Sequence, residues 1–209
     1  MARNFLCVLR IAFLIAVWTA TVPAHAESQF NTAAGAPTSA SARLDFAVVV
    51  PKVLYLRVGT GTEYTSNAAN NLISFVVPAA QLGNGTPLGA TAVSGDLGNG
   101  TVTARVLGNN GDVTLTSNTL GPMGNGVGDI IAYSQITTTA TALTTASVLP
   151  VVGLASGNTT TVTVPAVNGV VNRDARWNYT YANSAVVAPG TYGGVNVNNG
   201  RVTYTASMP

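Results

Sequence analysis

The sequence predicts an all-β protein, a single antiparallel β-sandwich of about ten short strands with little or no helix. Three observations predict this fold. Gly accounts for 22 of the 209 residues, and many of these glycines stand in turn-forming pairs such as Asn110-Gly111 and Asn199-Gly200. Between the pairs lie short runs rich in Val and Thr, which favour pleated strands. No stretch of about 11 residues has the apolar spacing of an amphipathic helix.

Residues 1–26 have the pattern of a secretory signal peptide. Arg3 and Arg10 come before a short apolar run over 11–20, and the tripeptide over 24–26 is a small-x-small cleavage site. The run is shorter than the roughly 20 residues that a transmembrane helix needs. We therefore expect export to the periplasm, the cell surface or the extracellular space, with no permanent membrane span.

Cleavage after residue 26 would leave a charge-balanced chain without Cys or His. The whole sequence has nine Lys and Arg residues and seven Asp and Glu residues, but Arg3 and Arg10 lie in the signal. Cys7 and His25, each the sole residue of its type, lie there too. The chain that remains lacks the commonest general base and the usual zinc and haem ligands. We therefore expect no enzyme activity, no catalytic residues, no metal site, no cofactor and no nucleic-acid partner.

The rest of the chain divides into two parts. Small and polar residues without periodicity predict a flexible N-terminal extension over 27–43. No linker interrupts 44–209, which therefore predicts one β-sandwich domain. The candidate strands lie between the turn-forming pairs, at 44–50, 53–58, 72–77, 90–94, 101–107, 112–117, 130–136, 159–164, 176–182, 192–197 and 201–207.

The last two candidate strands can be aligned as a hairpin. With Asn199-Gly200 as a two-residue type I′ turn, Val197 faces Val202 and Val195 faces Tyr204. The apolar side chains of the final strand then share one face, because side chains alternate across a strand. We expect that face to act in assembly with another chain; its residues are Val202, Tyr204, Ala206 and Met208.

A second candidate site is an aromatic strand. Trp177, Tyr179 and Tyr181 alternate with polar residues and so share one face. The simpler interpretation is an aromatic stripe in the core of the sandwich. The alternative is an exposed platform that stacks on sugars, which would make the protein a secreted carbohydrate- or cell-surface-binding module.

Charged residues offer two further hypotheses. Paired carboxylates can hydrolyse glycosides, but Asp45 and Asp174 each lie beside basic residues, which favours surface ion pairs. A carboxylate-based glycoside hydrolase is therefore the last alternative. Lys52 is the only Lys of the sequence; a solvated side chain is the simple interpretation, and an intramolecular Lys–Asn isopeptide bond is left open.

At its two ends the chain resembles bacterial exported fimbrial subunits of the chaperone–usher type. The resemblance rests on the signal pattern, on the apolar segment 44–50, and on the alternating strand 201–205 that follows Gly200. The stretch Trp177-Asn178-Tyr179 is also similar to WxL-type cell-surface domains. This resemblance implies an immunoglobulin- or pilin-like sandwich that assembles by β-strand addition. It also implies partners, namely further copies, other surface or pilus subunits, or a periplasmic chaperone.

The leading hypothesis is a non-catalytic, exported structural or adhesive protein, a subunit of a fimbria-like or cell-surface assembly. Charged residues make up only 8% of the sequence. Strand edges with so few charges are open to pairing with another chain.

Overall fold

The computed structural model describes residues 27–209, and the predicted signal peptide lies outside them. The chain divides into an N-terminal unit that ends at Val50 and a compact unit over Pro51–Pro209. Residues 27–50 contain no helix or strand, and every one of them is exposed. The strand predicted at 44–50 is therefore not formed. No strand of the described chain pairs with this segment, so its backbone groups lack the ladder that defines a strand.

The compact unit confirms the all-β prediction, since its named strands all pair in antiparallel fashion. Its only helices are two short 3-10 helices, Ala79–Gln81 and Tyr133–Gln135. The strands are β1 Leu54–Val58, β2 Leu88–Gly89, β3 Thr101–Gly108, β4 Val113–Thr119, β5 Met123–Gly124, β6 Ile130–Ile131, β7 Ile136–Thr141, β8 Thr159–Val164, β9 Val171–Tyr181 and β10 Val202–Ser207.

Two sheets enclose the core, as expected for a β-sandwich. In the larger sheet the longest strand, β9, pairs with β3, β2 and β7, and β3 pairs in turn with β1. The smaller sheet has the order β10-β4-β8. A short ribbon, β5-β6, stands apart from both sheets.

The core forms because strand residues alternate between the two faces. In β4 every second residue is buried, and Val113 and Leu115 are completely inaccessible. Trp177 on β9 is also completely buried, and its indole N–H donates a hydrogen bond to the Leu149 carbonyl at 3.2 Å. Burial of one such side chain contributes about 1.5–3 kcal/mol to folding, so these residues are a main source of the stability of the sandwich.

A buried carboxylate joins β9 to the loop that precedes Leu149. Asp174 is 1% exposed and accepts hydrogen bonds from the backbone N–H groups of Thr144 and Thr145, each at 2.9 Å. Both Thr hydroxyls donate to it as well, and Arg105 lies 3.4 Å away. Burial raises the pKa of this carboxyl, but the hydrogen bonds from Thr144 and Thr145 outweigh burial and lower the pKa to about 2. The expectation of a surface ion pair at Asp174 is wrong.

The predicted final hairpin is also wrong. β10 pairs with β4, from Val202 opposite Thr119 to Ser207 opposite Thr114. The segment 192–197 forms no strand, and Asn196 and Asn198 take positive φ of 57° and 49°. Asn tolerates the left-handed conformation, so the residues that suggested one turn make several. The predicted apolar face of β10 does exist, because all four of its side chains are half-buried while their neighbours are exposed.

Candidate assembly groove

Among the outer strands of the two sheets, β1 and β10 each have one edge without a partner strand in the described residues. β1 pairs only with β3, and β10 pairs only with β4. Each therefore presents one row of backbone N–H and C=O groups that no strand of residues 27–209 satisfies. Such edges are templates for pairing with another chain.

The two free edges approach each other at one end. A Cβ placed on Gly108 would lie 3.5 Å from Leu54 Cδ1 on β1 and 3.2 Å from the Sδ of Met208, just after β10. The side chains of Leu54 and Met208 therefore meet over Gly108 at this end. We call it the closed end of the sandwich.

At the other end the space between β1 and β10 is a groove of about 1120 Å³, which we call the assembly groove. The ends of β1 and β9 and the starts of β3, β7 and β10 line it with apolar side chains, together with the segments 69–77 and 187–196. Examples from these elements are Val58, Val202, Val102, Ile136, Tyr181 and Phe75.

The segment 69–77 forms one wall of this groove instead of the strand predicted at 72–77. Ser74 holds the wall in place: its N–H donates to the buried Ser94 hydroxyl at 2.9 Å, and its carbonyl accepts from Thr91 N–H at 2.8 Å. Phe75 is half-buried with its ring centroid 6.1 Å from that of Tyr181, whereas Val76 remains 68% exposed. The wall therefore presents apolar surface that nothing in the described chain covers.

The predicted aromatic site lies in the core and at the inner surface of the groove. Trp177, Tyr179 and Tyr181 are 0%, 6% and 4% exposed. This burial agrees with the core-stripe interpretation. A sugar-stacking platform requires exposed ring faces, which these three rings do not offer. Only Tyr179 and Tyr181 reach the groove.

Hydroxyl groups at the inner surface of the groove are uncharged near neutral pH. The hydroxyl oxygens of Tyr179 and Tyr204 lie 3.0 Å apart and share a hydrogen bond. Burial raises the pKa of Tyr179 to about 12, and it raises the pKa of Tyr204 well above its ordinary value. The groove thus has a neutral, largely apolar inner surface.

The predicted assembly residues divide between the two ends of the sandwich. Val202 and Tyr204 line the groove, while Ala206 and Met208 pack against the core nearer the closed end. Arg201, just before β10, is exposed and is the only charged residue among those that line the groove. Sequence reasoning missed Arg201, because the hairpin it assumed would have paired that residue with Asn198.

The segment 44–50 is the largest exposed apolar stretch within residues 27–50, the described part of the N-terminal unit. Its large side chains are exposed to between 71% and 94%; they are Leu44, Phe46, Val48, Val49 and Val50. In an extended conformation the even-numbered residues Leu44, Phe46, Val48 and Val50 would share one face. Sequence reasoning recognised 44–50 as an apolar candidate strand but placed it inside the sandwich.

The remaining predicted features lie elsewhere. Lys52 is exposed, and its Nζ donates a hydrogen bond to the Pro209 carbonyl. Residues 27–209 place no three His, Cys, Asp or Glu side chains where they could share a metal ion. In the same part of the chain, no helix has the length and apolar character needed to cross a membrane.

Comparisons with protein-family models, with curated proteins and with solved structures found no match to this chain. The assembly groove and the exposed segment are therefore the features from which a function can be inferred.

Proposed function

We propose that this protein is a non-catalytic, exported subunit of a fimbria-like or cell-surface assembly, and that the segment 44–50 of one copy inserts into the assembly groove of another. One observation carries the proposal. The same chain has an apolar groove between two unpaired strand edges and an exposed apolar segment of strand length. Each feature is costly to leave in water and each would satisfy the other.

Apolar burial supports this pairing. The even-numbered side chains of the segment would move from water into a groove lined by Val58, Phe75 and Val202. Burial contributes about 1.5–3 kcal/mol for each large apolar side chain, before the cost of ordering the segment and joining two molecules. An insertion of this kind is favourable only if several side chains enter together, which fits an alternating segment.

Backbone hydrogen bonding supports it too. The outer edge of β10 has no partner strand among the described residues, so an inserted strand would gain main-chain hydrogen bonds along its length. Strand addition takes affinity from these main-chain bonds and specificity from pockets for alternate side chains. A partner that inserts a strand would therefore be another copy or a related surface subunit.

The same features explain why a chaperone is expected. Until assembly, the groove and the β10 edge are an aggregation hazard, because few charged residues protect them. A periplasmic chaperone that covers the groove would keep the subunit monomeric during export.

Charge placed in the inserted segment tests the proposal. We expect the full chain, exported into a bacterial periplasm and purified, to form larger species as its concentration rises, measured by size exclusion with light scattering. Phe46→Asp should abolish these species, because a carboxylate is costly to bury in the groove. Thermal unfolding of the compact unit should be unchanged.

Phe30→Asp is the matched control. Phe30 and Phe46 both belong to the N-terminal unit and are 90% and 86% exposed, but only Phe46 lies in the proposed strand. Phe30→Asp should assemble as the original chain does. A wild-type chain that stays monomeric at every concentration, or a Phe46→Asp variant that assembles normally, would overturn the proposal.

A further inference from the structure

We infer that the inserted segment runs parallel to β10 and that Asp45 of one copy forms an ion pair with Arg201 of the next. This inference rests on the proposed function and adds the direction, the register and the residue pair that sets both. Three observations on charge, side-chain alternation and backbone conformation lead to it.

The first observation is a one-to-one match of charges. Arg201 is the only charged residue among those that line the groove, and Asp45 is the only charged residue within 44–50. Within residues 27–209 neither of them takes part in an ion pair, whereas the neighbouring Arg43 is already paired with Glu27 at 2.7 Å. Complementary charges fix register in strand and interface pairing.

The second observation is that the two alternations agree. Along β10, Val202, Tyr204 and Ala206 are half-buried, and the odd-numbered residues between them are exposed. With Asp45 beside Arg201 in a parallel strand, the even-numbered residues of the segment fall beside these half-buried ones. The resulting neighbours are Phe46 and Val202, Val48 and Tyr204, and Val50 and Ala206. Phe46 and Val48 then lie beside residues that line the groove, Val50 lies beside Ala206 towards the closed end, and Asp45 stays at the rim.

The third observation excludes the same ion pair in an antiparallel strand. In that direction the residues after Asp45 would run past Gly200 along the segment 193–199. Gly193, Gly194, Asn196, Asn198 and Asn199 all have positive φ there, so the segment cannot present a strand edge. An antiparallel strand that does cover β10 places Val49 beside Arg201 and Asp45 beside Thr205. In that register both charges stay on the exposed face, and neither gains the ion pair that the parallel register forms.

Engineered disulfides distinguish the two registers without altering Asp45 or Arg201. Cys7 is the only native cysteine, so the variants are made in the full chain with Cys7→Ala. The parallel register places position 49 beside position 205, and the antiparallel one places position 43 beside position 207. We expect Val49→Cys with Thr205→Cys to give a ladder of cross-linked multimers on non-reducing gels. Arg43→Cys with Ser207→Cys should give none, because bridged Cα atoms must lie within about 7 Å of each other.

Charge reversal tests the ion pair itself. Asp45→Arg alone and Arg201→Asp alone should each raise the concentration needed for assembly by about 10-fold or more, because like charges then meet at the groove rim. The double variant should return it to within a few-fold of wild type. Arg43→Asp is the control, since Arg43 lies outside the inserted segment, and it should change assembly little.

Each outcome bears on a separate statement. A ladder from the first cysteine pair together with rescue by the double reversal supports the inference. If the chain assembles but only the second cysteine pair gives a ladder, the inference is overturned and the proposed function stands. The same holds if the single charge reversals have no effect on assembly. Cross-links found only within monomers overturn the pairing between copies. Absence of assembly in wild type overturns both.

Discussion

The closed end and the groove end of the sandwich are built from the same strands but differ in what covers them. Near the closed end, β3, β4 and β9 contribute Val106, Val113 and Val171, which are all at most 1% exposed. At the groove end the larger sheet ends in Tyr181, beside a groove of about 1120 Å³. The difference is not one of composition, since both ends carry alternating apolar side chains. It arises because β1 and β10 approach each other at one end and separate at the other.

This contrast separates two uses of apolar surface. At the closed end the surface is buried within one chain and stabilises the fold. At the groove end it stays accessible and becomes available for binding. Substitutions at the two ends should therefore affect different measurements, and three predictions, from the largest expected effect to the smallest, test that separation.

Trp177→Ala should have the largest effect on stability. It removes a completely buried side chain and leaves the Leu149 carbonyl without its donor. Truncation of a buried aromatic residue costs about 3–5 kcal/mol of unfolding free energy, a large part of the stability of an ordinary domain. Chemical denaturation followed by circular dichroism measures it. Trp177→Phe, which keeps most of the volume, should lose much less. A Trp177→Ala variant as stable as wild type would show that the buried core of the sandwich is not the source of stability.

The sequence predicted which side chains of a strand share a face better than it predicted which strand or loop contacts that strand. The burial of Trp177 and the apolar face of β10 follow from alternation within one strand, which is local. The pairing of β10 with β4 and the contacts of Asp174 with Thr144 and Thr145 join residues far apart in the chain. Local turn chemistry at Asn199-Gly200 favoured a hairpin, and the choice of β4 as partner overrode it. The groove was not predictable either, because an unpaired edge exists only once every strand pairing is known.

Asp174 gives an intermediate, pH-dependent effect that belongs to the closed part of the fold. Its pKa is lowered to about 2, from an ordinary value near 3.9 in an unfolded chain. A lowered pKa adds stability above the unfolded value, and that stability is lost as pH falls towards the folded value. We expect about 2 kcal/mol of unfolding free energy to be lost between pH ~4 and pH ~2. Denaturant unfolding across this range measures the loss.

Asp174→Asn provides the comparison for this acid effect. The variant should be less stable near neutral pH, because the amide cannot accept all the hydrogen bonds that Thr144 and Thr145 donate. Its stability should also change less between pH ~4 and pH ~2. An acid-induced loss of equal size in both proteins would assign that loss to other carboxylates.

The smallest effect on stability is expected for a substitution in the wall of the groove, which should also have the largest effect on assembly. Val76 and Val167 are both 68% exposed, but Val76 lines the groove and Val167 lies in a turn between β8 and β9 that does not. Val76→Asp and Val167→Asp should each change the unfolding free energy by no more than about 0.5 kcal/mol, because both carboxylates stay hydrated in the monomer.

Assembly distinguishes these two variants, because only the carboxylate at position 76 would lose its water when a strand enters the groove. Val76→Asp should therefore prevent the larger species seen by light scattering, and Val167→Asp should leave them unchanged. If both variants assemble alike, the groove is not where copies meet, and the groove end of the sandwich needs another occupant. If Val76→Asp instead unfolds the protein, the groove wall belongs to the stabilising core, and the distinction between the two ends fails.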